Sequence, residues 1–300
     1  MDTVSVDRHL LLPLPHFEEA YSLESARGEL ACRDLTFAFV ALARNCEGPL
    51  RPNLEALAVL GKRFRDWRLY VEENDSEDGT ATVLAQFAER NTRAFVRSRT
   101  LGRQHYGQEF AGPRTIALAE YRSSCQEWVR GNFSEADYVV IVDLDAWGGW
   151  SHGGFMSGVG MLETMPDAYG MASVSIMQHP AFENTPDGQA KPTKAWLHYD
   201  AWALRLNSYW DDYTAGHGGW KHHWIPPVGS PPVRVCSAFG GMTIYRTAAF
   251  LAGTYDGRTD CEHVSFHRSV AAQTGQHLYL CPSMRMVMYW VTDGGQHGDD

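Results

Sequence analysis

Two aspartates separated by one residue, Asp143 and Asp145, are the side chains of this 300-residue chain best placed to do chemistry. They follow Tyr138-Val139-Val140-Ile141-Val142, an apolar run with the form of a buried parallel strand whose carboxyl end opens into a site. In an extended chain successive side chains point to opposite faces, so Asp143 and Asp145 share a face while Leu144 turns back to the core. Two carboxylates converging on one small volume raise each other's pKa unless a cation neutralises them. Hard oxygen donors of this kind suit Mg²⁺ or Mn²⁺. The expectation is a divalent metal held at the end of a central strand. The alternative is a pair of solvated or capping aspartates, since a bare Asp-x-Asp is a short motif that depends on its context.

That context is supplied by the elements that precede it. Residues 34–43 read as a first core strand that ends at Arg44-Asn45, and Leu54, Leu57, Leu60 and Phe64 give residues 52–65 a helical period. A second strand, 67–72, ends in Glu73-Asn74-Asp75-Ser76-Glu77-Asp78-Gly79-Thr80, followed by a helix over 80–90 and a short strand over 92–96. Ala117, Tyr121, Cys125 and Trp128 lie close to one face of a helix over 114–130. This alternation implies an α/β fold with a mainly parallel sheet and right-handed crossovers, in which ligands bind outside the carboxyl ends of the strands. Arg44, the Glu73-Asn74-Asp75 cluster and the two aspartates then share one rim. Asn74 and Asp75 are placed to read a base or ribose, with helix capping by Asp75 or Ser76 as the structural alternative. Arg44 stacks on a base or touches phosphate, or is a surface arginine. Arg114 and Arg122 are separated by about 80° on an ideal helix, so both face one rim and either pairs with Asp143 or with phosphate. A structural salt bridge is the competing role.

Beyond Asp145 the pattern loosens. Residues 147–160 are rich in glycine and tryptophan, 184–193 contain prolines without periodicity, and 209–232 form a long loop with His217, Trp220, His222, His223 and Trp224. Residues 237–245 read as a turn and a strand, Asp260-Cys261-Glu262-His263 lead into a helix through about Gln273, and 277–281 and 284–290 read as closing strands. Trp147, Trp150 and Trp220 are candidates to stack on sugar faces, with core packing as the alternative.

Composition excludes several classes. A formal charge of −10 argues against a general nucleic-acid binder. The apolar run Leu10-Leu11-Leu12 is too short and interrupted for a signal peptide or membrane span, so a cytoplasmic location is expected. The six cysteines form no Cys-x-x-Cys pair, which indicates free thiols. Neither a Gly-x-Gly-x-x-Gly nor a Gly-x-x-x-x-Gly-Lys-Ser/Thr motif occurs in the first half, which disfavours a dinucleotide domain or a P-loop ATPase.

Taken in order, these segments resemble a GT-A glycosyltransferase, and more closely the fungal capsule-associated α-1,3-mannosyltransferase family and its bacterial and viral relatives. The resemblance is carried by Glu73-Asn74-Asp75-Ser76-Glu77-Asp78-Gly79-Thr80, Arg114 with Ala119-Glu120-Tyr121-Arg122, Val142-Asp143-Leu144-Asp145, Tyr199-Asp200-Ala201-Trp202, Phe239-Gly240-Gly241-Met242 and Cys261-Glu262-His263. Ser123 departs from the asparagine expected after Arg122. The resemblance implies one GT-A-like domain, with residues 34–145 as the nucleotide-sugar half, 146–290 as a loop-rich acceptor half, and 1–30 and 292–300 peripheral. It implies a nucleotide-sugar donor, GDP-mannose or a UDP-sugar, contacted by Arg44, Glu73, Asn74, Asp75, Arg114, Arg122 and Asp143, and Mn²⁺ or Mg²⁺ on Asp143, Asp145 and His263. For His263 the alternative is a helix N-terminal histidine bonded to the backbone. A glycan or other hydroxyl acceptor would meet Asp200, Gly240, Gly241, Glu262 and Trp220, and Asp143, Asp145 and Glu262 would serve catalysis, Glu262 more as a sugar anchor than as an obligatory base in a retaining reaction. A non-catalytic metal- and glycan-binding module and a nucleotidyltransferase are the other readings, and the oligomeric state is left open.

Overall fold

The computed structural model describes residues 6–106, 112–186, 188–206, 219–292 and 295–296. After a short α1 (Arg8–Leu11) and α2 (Glu18–Cys32), the chain enters β1 (Thr36–Ala43), whose residues are almost all buried. α3 (Glu47–Gly61) returns to β2 (Asp66–Asn74), α4 (Thr80–Arg90) to β3 (Ala94–Arg99), and α5 (Pro113–Asn132) to β4 (Tyr138–Val142). The four strands are parallel in the order β3-β2-β1-β4, so the step from β3 through α5 crosses back to place β4 beside β1. The expected α/β alternation is present, with α3 starting earlier than its leucine period suggests because its first turn carries Gly48 and Pro49 rather than apolar periodicity.

Beyond β4 come β5 (Gly149–Trp150), α6 (His152–Thr164), β6 (Ala168–Asn184), β7 (Ala190–His198), β8 (Val233–Val235), β9 (Met242–Arg246), α7 (Thr247–Ala252), α8 (Glu262–Thr274) and β10 (His277–Val287). β9 runs antiparallel between β4 and β6, and β6 is parallel to β10, so the sheet reads β3-β2-β1-β4-β9-β6-β10-β5 with β7 beside β6 and β8 beside β10. It is mainly parallel and covered on both faces. Phe37, Phe39 and Ala41 of β1 pack with Leu50, Leu54 and Leu57 of α3 and Val159 of α6. Ala38 and Val40 pack on the other side with Cys125 and Val129 of α5 and Phe266 of α8. Burial on both faces explains the uninterrupted apolar runs of β1 and β4.

The second half is more regular than its sequence suggests. Residues 152–164 form a helix although Gly153, Gly154, Gly158 and Gly160 lower its intrinsic propensity. The glycines are there because the packing admits nothing larger. A Cβ on Gly160 would lie 2.1 Å from the carbonyl oxygen of Glu24 in α2, and one on Gly154 would lie 2.0 Å from that of Ser283. Across the same crossing a Cβ on Gly28 would lie 1.8 Å from the oxygen of Met156. Tertiary contact, not propensity, makes this helix. The proline-bearing stretch around residue 190 is a hairpin arm of β6 and β7, legible neither by alternation nor by a buried face because most of its residues are exposed. The two closing strands are one strand, β10, whose register to β6 shifts between Leu280 and Arg285.

Gly28→Ala is expected to lower stability by about 1–3 kcal/mol through overpacking against the backbone of α6. Urea denaturation of the purified variant measures this, and an unchanged midpoint would show that the two helices separate at little cost.

Candidate active site

The carboxyl ends of β1, β2 and β4 meet at one rim, and the loops that leave them are stitched together by side chains. Asn45 and Asp75, one residue or two beyond the ends of β1 and β2, are the non-glycine residues with positive φ among those described, at 48° and 54°. Such conformations persist only where surrounding contacts impose them. The side-chain oxygen of Asn45 accepts the N–H of Glu77 at 2.8 Å, and the Ser76 hydroxyl lies 3.2 Å from the Asn45 nitrogen that donates to it. Asp78 accepts the N–H groups of Glu47 at 3.0 Å and Thr80 at 2.9 Å, so Asp78 takes the helix-start role expected of Asp75 or Ser76.

Asp75 does different work. Its carboxylate accepts backbone N–H groups from Leu101 at 2.6 Å, Gly102 at 2.8 Å and Arg103 at 3.2 Å, and the side-chain amide of Asn74 at 3.0 Å. Arg44 completes the clasp by donating to the carbonyls of Arg103 at 2.8 Å and Gln104 at 3.1 Å. Glu73 is buried and accepts the N–H of Ser76 at 3.1 Å and the hydroxyl of Ser98. Of the four residues expected to meet a nucleotide, Arg44 and Asp75 bond the backbone that follows β3, Asn74 supports Asp75, and Glu73 ties Ser76 to Ser98 of β3. Burial pushes the Asp75 carboxyl up, but the hydrogen bonds from Asn74, Gly102, Leu101 and Arg103 outweigh it and hold the pKa at about 2.

Asp143 and Asp145 emerge beyond the last ladder residue of β4, Val142. The N–H of Asp143 donates to the carbonyl of Gly241 at 2.7 Å, and the N–H of Trp147 to that of Met288 at 2.8 Å. From α3, the side-chain amide of Asn53 donates to the carbonyls of Leu144 at 2.9 Å and Ala146 at 2.8 Å. Asp145 is exposed to the cleft, whereas the Asp143 side chain is 24% exposed. Burial and then the charge of Asp145 hold the Asp143 carboxyl well above its usual range. These are the electrostatics of a like-charge pair that a divalent cation would relieve.

One cation is built in. Arg122 of α5 is buried, its Nε donates to Glu262 of α8 at 3.0 Å, and its guanidinium reaches Asp143 at 3.9 Å and lies 4.9 Å over the Phe239 ring. Glu262 has a side-chain exposure of 2%, so its carboxylate is committed to Arg122 and is not presented to a sugar. His263 is also buried, stacked on Phe239 at 4.0 Å with its Nε2 3.5 Å from Glu262. Neither ring nitrogen has a hydrogen-bond partner, and burial, Arg122 and His267 hold its pKa well below the usual value. Among the described residues no three His, Cys, Asp or Glu side chains are grouped to hold a metal ion, so Asp143 and Asp145 are not joined by His263 as a ligand set. The two aspartates fit a hard cation as a pair whose remaining positions go to ligand or solvent oxygens, as is usual for Mg²⁺ and Mn²⁺.

Asp200 and the glycine pair belong to the same support. The Asp200 carboxylate accepts the N–H of Gly240 at 2.9 Å and of Ala203 at 3.4 Å, while burial lifts its pKa to about 6. Gly240 and Gly241 have φ of 64° and 76°, and a Cβ on Gly240 would lie 2.0 Å from the carbonyl oxygen of Ser173. The close approach that demands glycine is to the sheet itself. Arg114 lies 5.3 Å over the Trp202 ring. Trp220 is 46% exposed and 6.4 Å from Trp224, whereas His217 lies outside the described residues. Trp147 packs against Gly48, where a Cβ would come within 2.6 Å of its ring.

Two residues escaped the sequence reading. Asn53 left a signal, being a polar residue in register with the buried positions Leu50, Leu54 and Leu57 of α3. Tyr199 left only its place beside Asp200; it is 40% exposed and stands edge-on to Tyr289 with ring centroids 5.9 Å apart.

No family model matches the sequence, and no curated protein matches it. Solved structures do. GalNAc-T7 with UDP, GalNAc and Mn²⁺ superposes with a TM-score of 0.51 at 12% identity, covering 95% of this chain and 55% of that one. The fold is GT-A. Mannosyltransferase PcManGT from Pyrobaculum calidifontis, in complex with GDP-Man and Mn²⁺, gives a TM-score of 0.48 at 14% identity over 91% of this chain and 65% of that one. S. aureus TarS 1-349 in complex with UDP-GlcNAc gives 0.46 at 12% identity over 84% and 58%. The chain thus spans less than two thirds of the length of each of these structures. In the GT-A frame, Asp143 and Asp145 occupy the end of β4, at the middle of the sheet.

Two measurements examine this support. Arg122→Met should cost about 3–5 kcal/mol by stranding a buried Glu262, and adding Glu262→Gln should recover part of it; additive losses in a double-mutant cycle would show the pair to be uncoupled. Because the Asp75 pKa is depressed, its stabilisation is present above the ordinary carboxylate value of 3.8 and is lost as pH falls toward about 2. Asp75→Asn should therefore flatten the acid limb of stability against pH between those values, and an identical limb would dissociate Asp75 from it.

Proposed function

We propose that this chain is a metal-dependent glycosyltransferase that moves a hexose from a nucleotide-sugar donor to a hydroxyl of a glycan or other acceptor. The observation that carries the reading is the convergence of Asp143 and Asp145 just beyond the carboxyl end of β4, a central strand in a GT-A fold, with Asp143 partly buried beside Arg122 and Asp145 exposed. Asp143 and Asp145 would hold Mn²⁺ or Mg²⁺, which when bound supplies positive charge to a departing diphosphate. The donor is GDP-mannose or a UDP-sugar. Mannose rests on the sequence resemblance, and the choice of Mn²⁺ is supported by the GT-A structure of GalNAc-T7 with UDP, GalNAc and Mn²⁺.

The chain's own residues divide the work as follows. Arg122, held by Glu262, offsets part of the Asp143 charge. Asp200 fixes Gly240, and the Gly241 carbonyl fixes the N–H of Asp143, so the wall opposite the aspartates is tied to them. In the transfer the bond between the anomeric carbon and the leaving phosphate oxygen breaks as the acceptor oxygen bonds to that carbon. With Glu262 committed to Arg122, the acceptor proton passes to the departing phosphate oxygen. That proton route belongs to a retaining reaction.

Incubation with a panel of nucleotide sugars and Mn²⁺ should release nucleoside diphosphate from one donor, with loss of at least about 100-fold in Asp145→Ala at an unchanged melting temperature. Absence of both binding and release with every donor would defeat the proposal, and full activity in Asp145→Ala would defeat the metal assignment.

A further inference from the structure

Asn53 is a polar side chain in an apolar setting. It is 3% exposed on the face of α3 that presents Leu50, Leu54 and Leu57 to the core, and leaving a primary amide there unpaired would cost about 1–3 kcal/mol. A primary amide has two N–H donors. Both are accounted for by carbonyls in one short segment, Leu144 O at 2.9 Å and Ala146 O at 2.8 Å.

Those two carbonyls flank Asp145. The ladder between β4 and β9 ends at the pair Val142 and Met242, so from Asp143 onward the sheet no longer dictates the path of the chain. The N–H of Asp143 is anchored to Gly241 and that of Trp147 to Met288, one on each side of the segment. Asn53 reaches the stretch between those anchors, bonding the peptide that enters Asp145 and the peptide that leaves Ala146. Its other amide atom points at Gly149, where a Cβ would come 3.2 Å from Oδ1 and where φ is +65°, so α3 and the turn after the aspartates are in close contact.

We infer that Asn53 is a positioning residue for Asp145: it fixes the backbone on both sides of that aspartate and thereby aims a carboxylate that is itself exposed to the cleft. Leucine, nearly isosteric, would fill the core at least as well and would not hold the segment. The positioning stands on geometry alone; its consequence for metal affinity rests on the proposed function.

The test separates positioning from general stability and from the metal reading. In the wild-type protein the side-chain amide hydrogens of Asn53, followed by NMR, should exchange slowly; rapid exchange overturns the inference and needs no variant. In Asn53→Leu, and in Asn53→Ser where a water has room beside the hydroxyl, backbone hydrogen exchange should accelerate over residues 143–148 and stay unchanged over 36–43 and 277–287. No change over 143–148, or an equal acceleration everywhere, overturns it. Titration with Mn²⁺ alone, read from the electron-paramagnetic resonance of the free ion, should show binding weakened roughly 10- to 100-fold in both variants and lost in Asp145→Ala. Selective acceleration of exchange with no Mn²⁺ bound by the wild-type protein would sustain the positioning role and overturn the metal assignment instead.

Discussion

Arg122 is a charge buried beside the sheet, and the fold supplies its counter-charge there. It comes from α5, in the half of the chain built from strand–helix–strand units, and its partner Glu262 comes from α8, in the other half. Asp143 lies within reach of the same guanidinium. Removing Arg122 leaves Glu262 buried and Asp143 partly buried with unmatched charge, a situation far costlier than a broken surface pair. The ion pair therefore does more than join two helices. It sets how much negative charge the end of β4 can hold, and so whether two aspartates can coexist there.

The same economy of contacts explains the glycines. Gly240 and Gly241 take backbone angles that side chains resist, and Gly240 lies against the backbone of Ser173, so the chain after Phe239 is pressed onto the sheet. That proximity lets the Gly241 carbonyl receive the N–H of Asp143. Asp200 holds the pair from the other side. A glycine pair that in sequence looks like room for a ligand is, in the structure, room for the protein itself.

How much of this was legible follows from the physics of each segment. β1, β2, β4 and the helices between them announce themselves because strands buried on both faces are continuously apolar and their helices carry a regular apolar stripe. α6 does not, since its four glycines answer to α2 and β10 rather than to helix propensity, and such a demand is visible only once the neighbours are in place. For the site, residue types and order located the rim, but not the partners. Nothing in the sequence distinguishes an Asp75 that faces a ligand from one that accepts three backbone N–H groups, or a Glu262 open to solvent from one closed by Arg122. Pairings between residues far apart in the chain, such as Asn53 with Leu144 and Ala146, are information that periodicity does not contain.

The clasp of Arg44 and Asp75 around residues 101–104 has a thermodynamic consequence of its own. Fixing a residue's backbone costs about 1–2 kcal/mol of conformational entropy, and a loop that orders only when a ligand arrives subtracts that cost from affinity. Here a carboxylate and a guanidinium have already taken N–H groups and carbonyls of residues 101–104, so the ordering of that stretch is completed during folding. A molecule entering from that side meets a wall that is already shaped, and the heat of its binding will report contact and desolvation rather than the freezing of that loop.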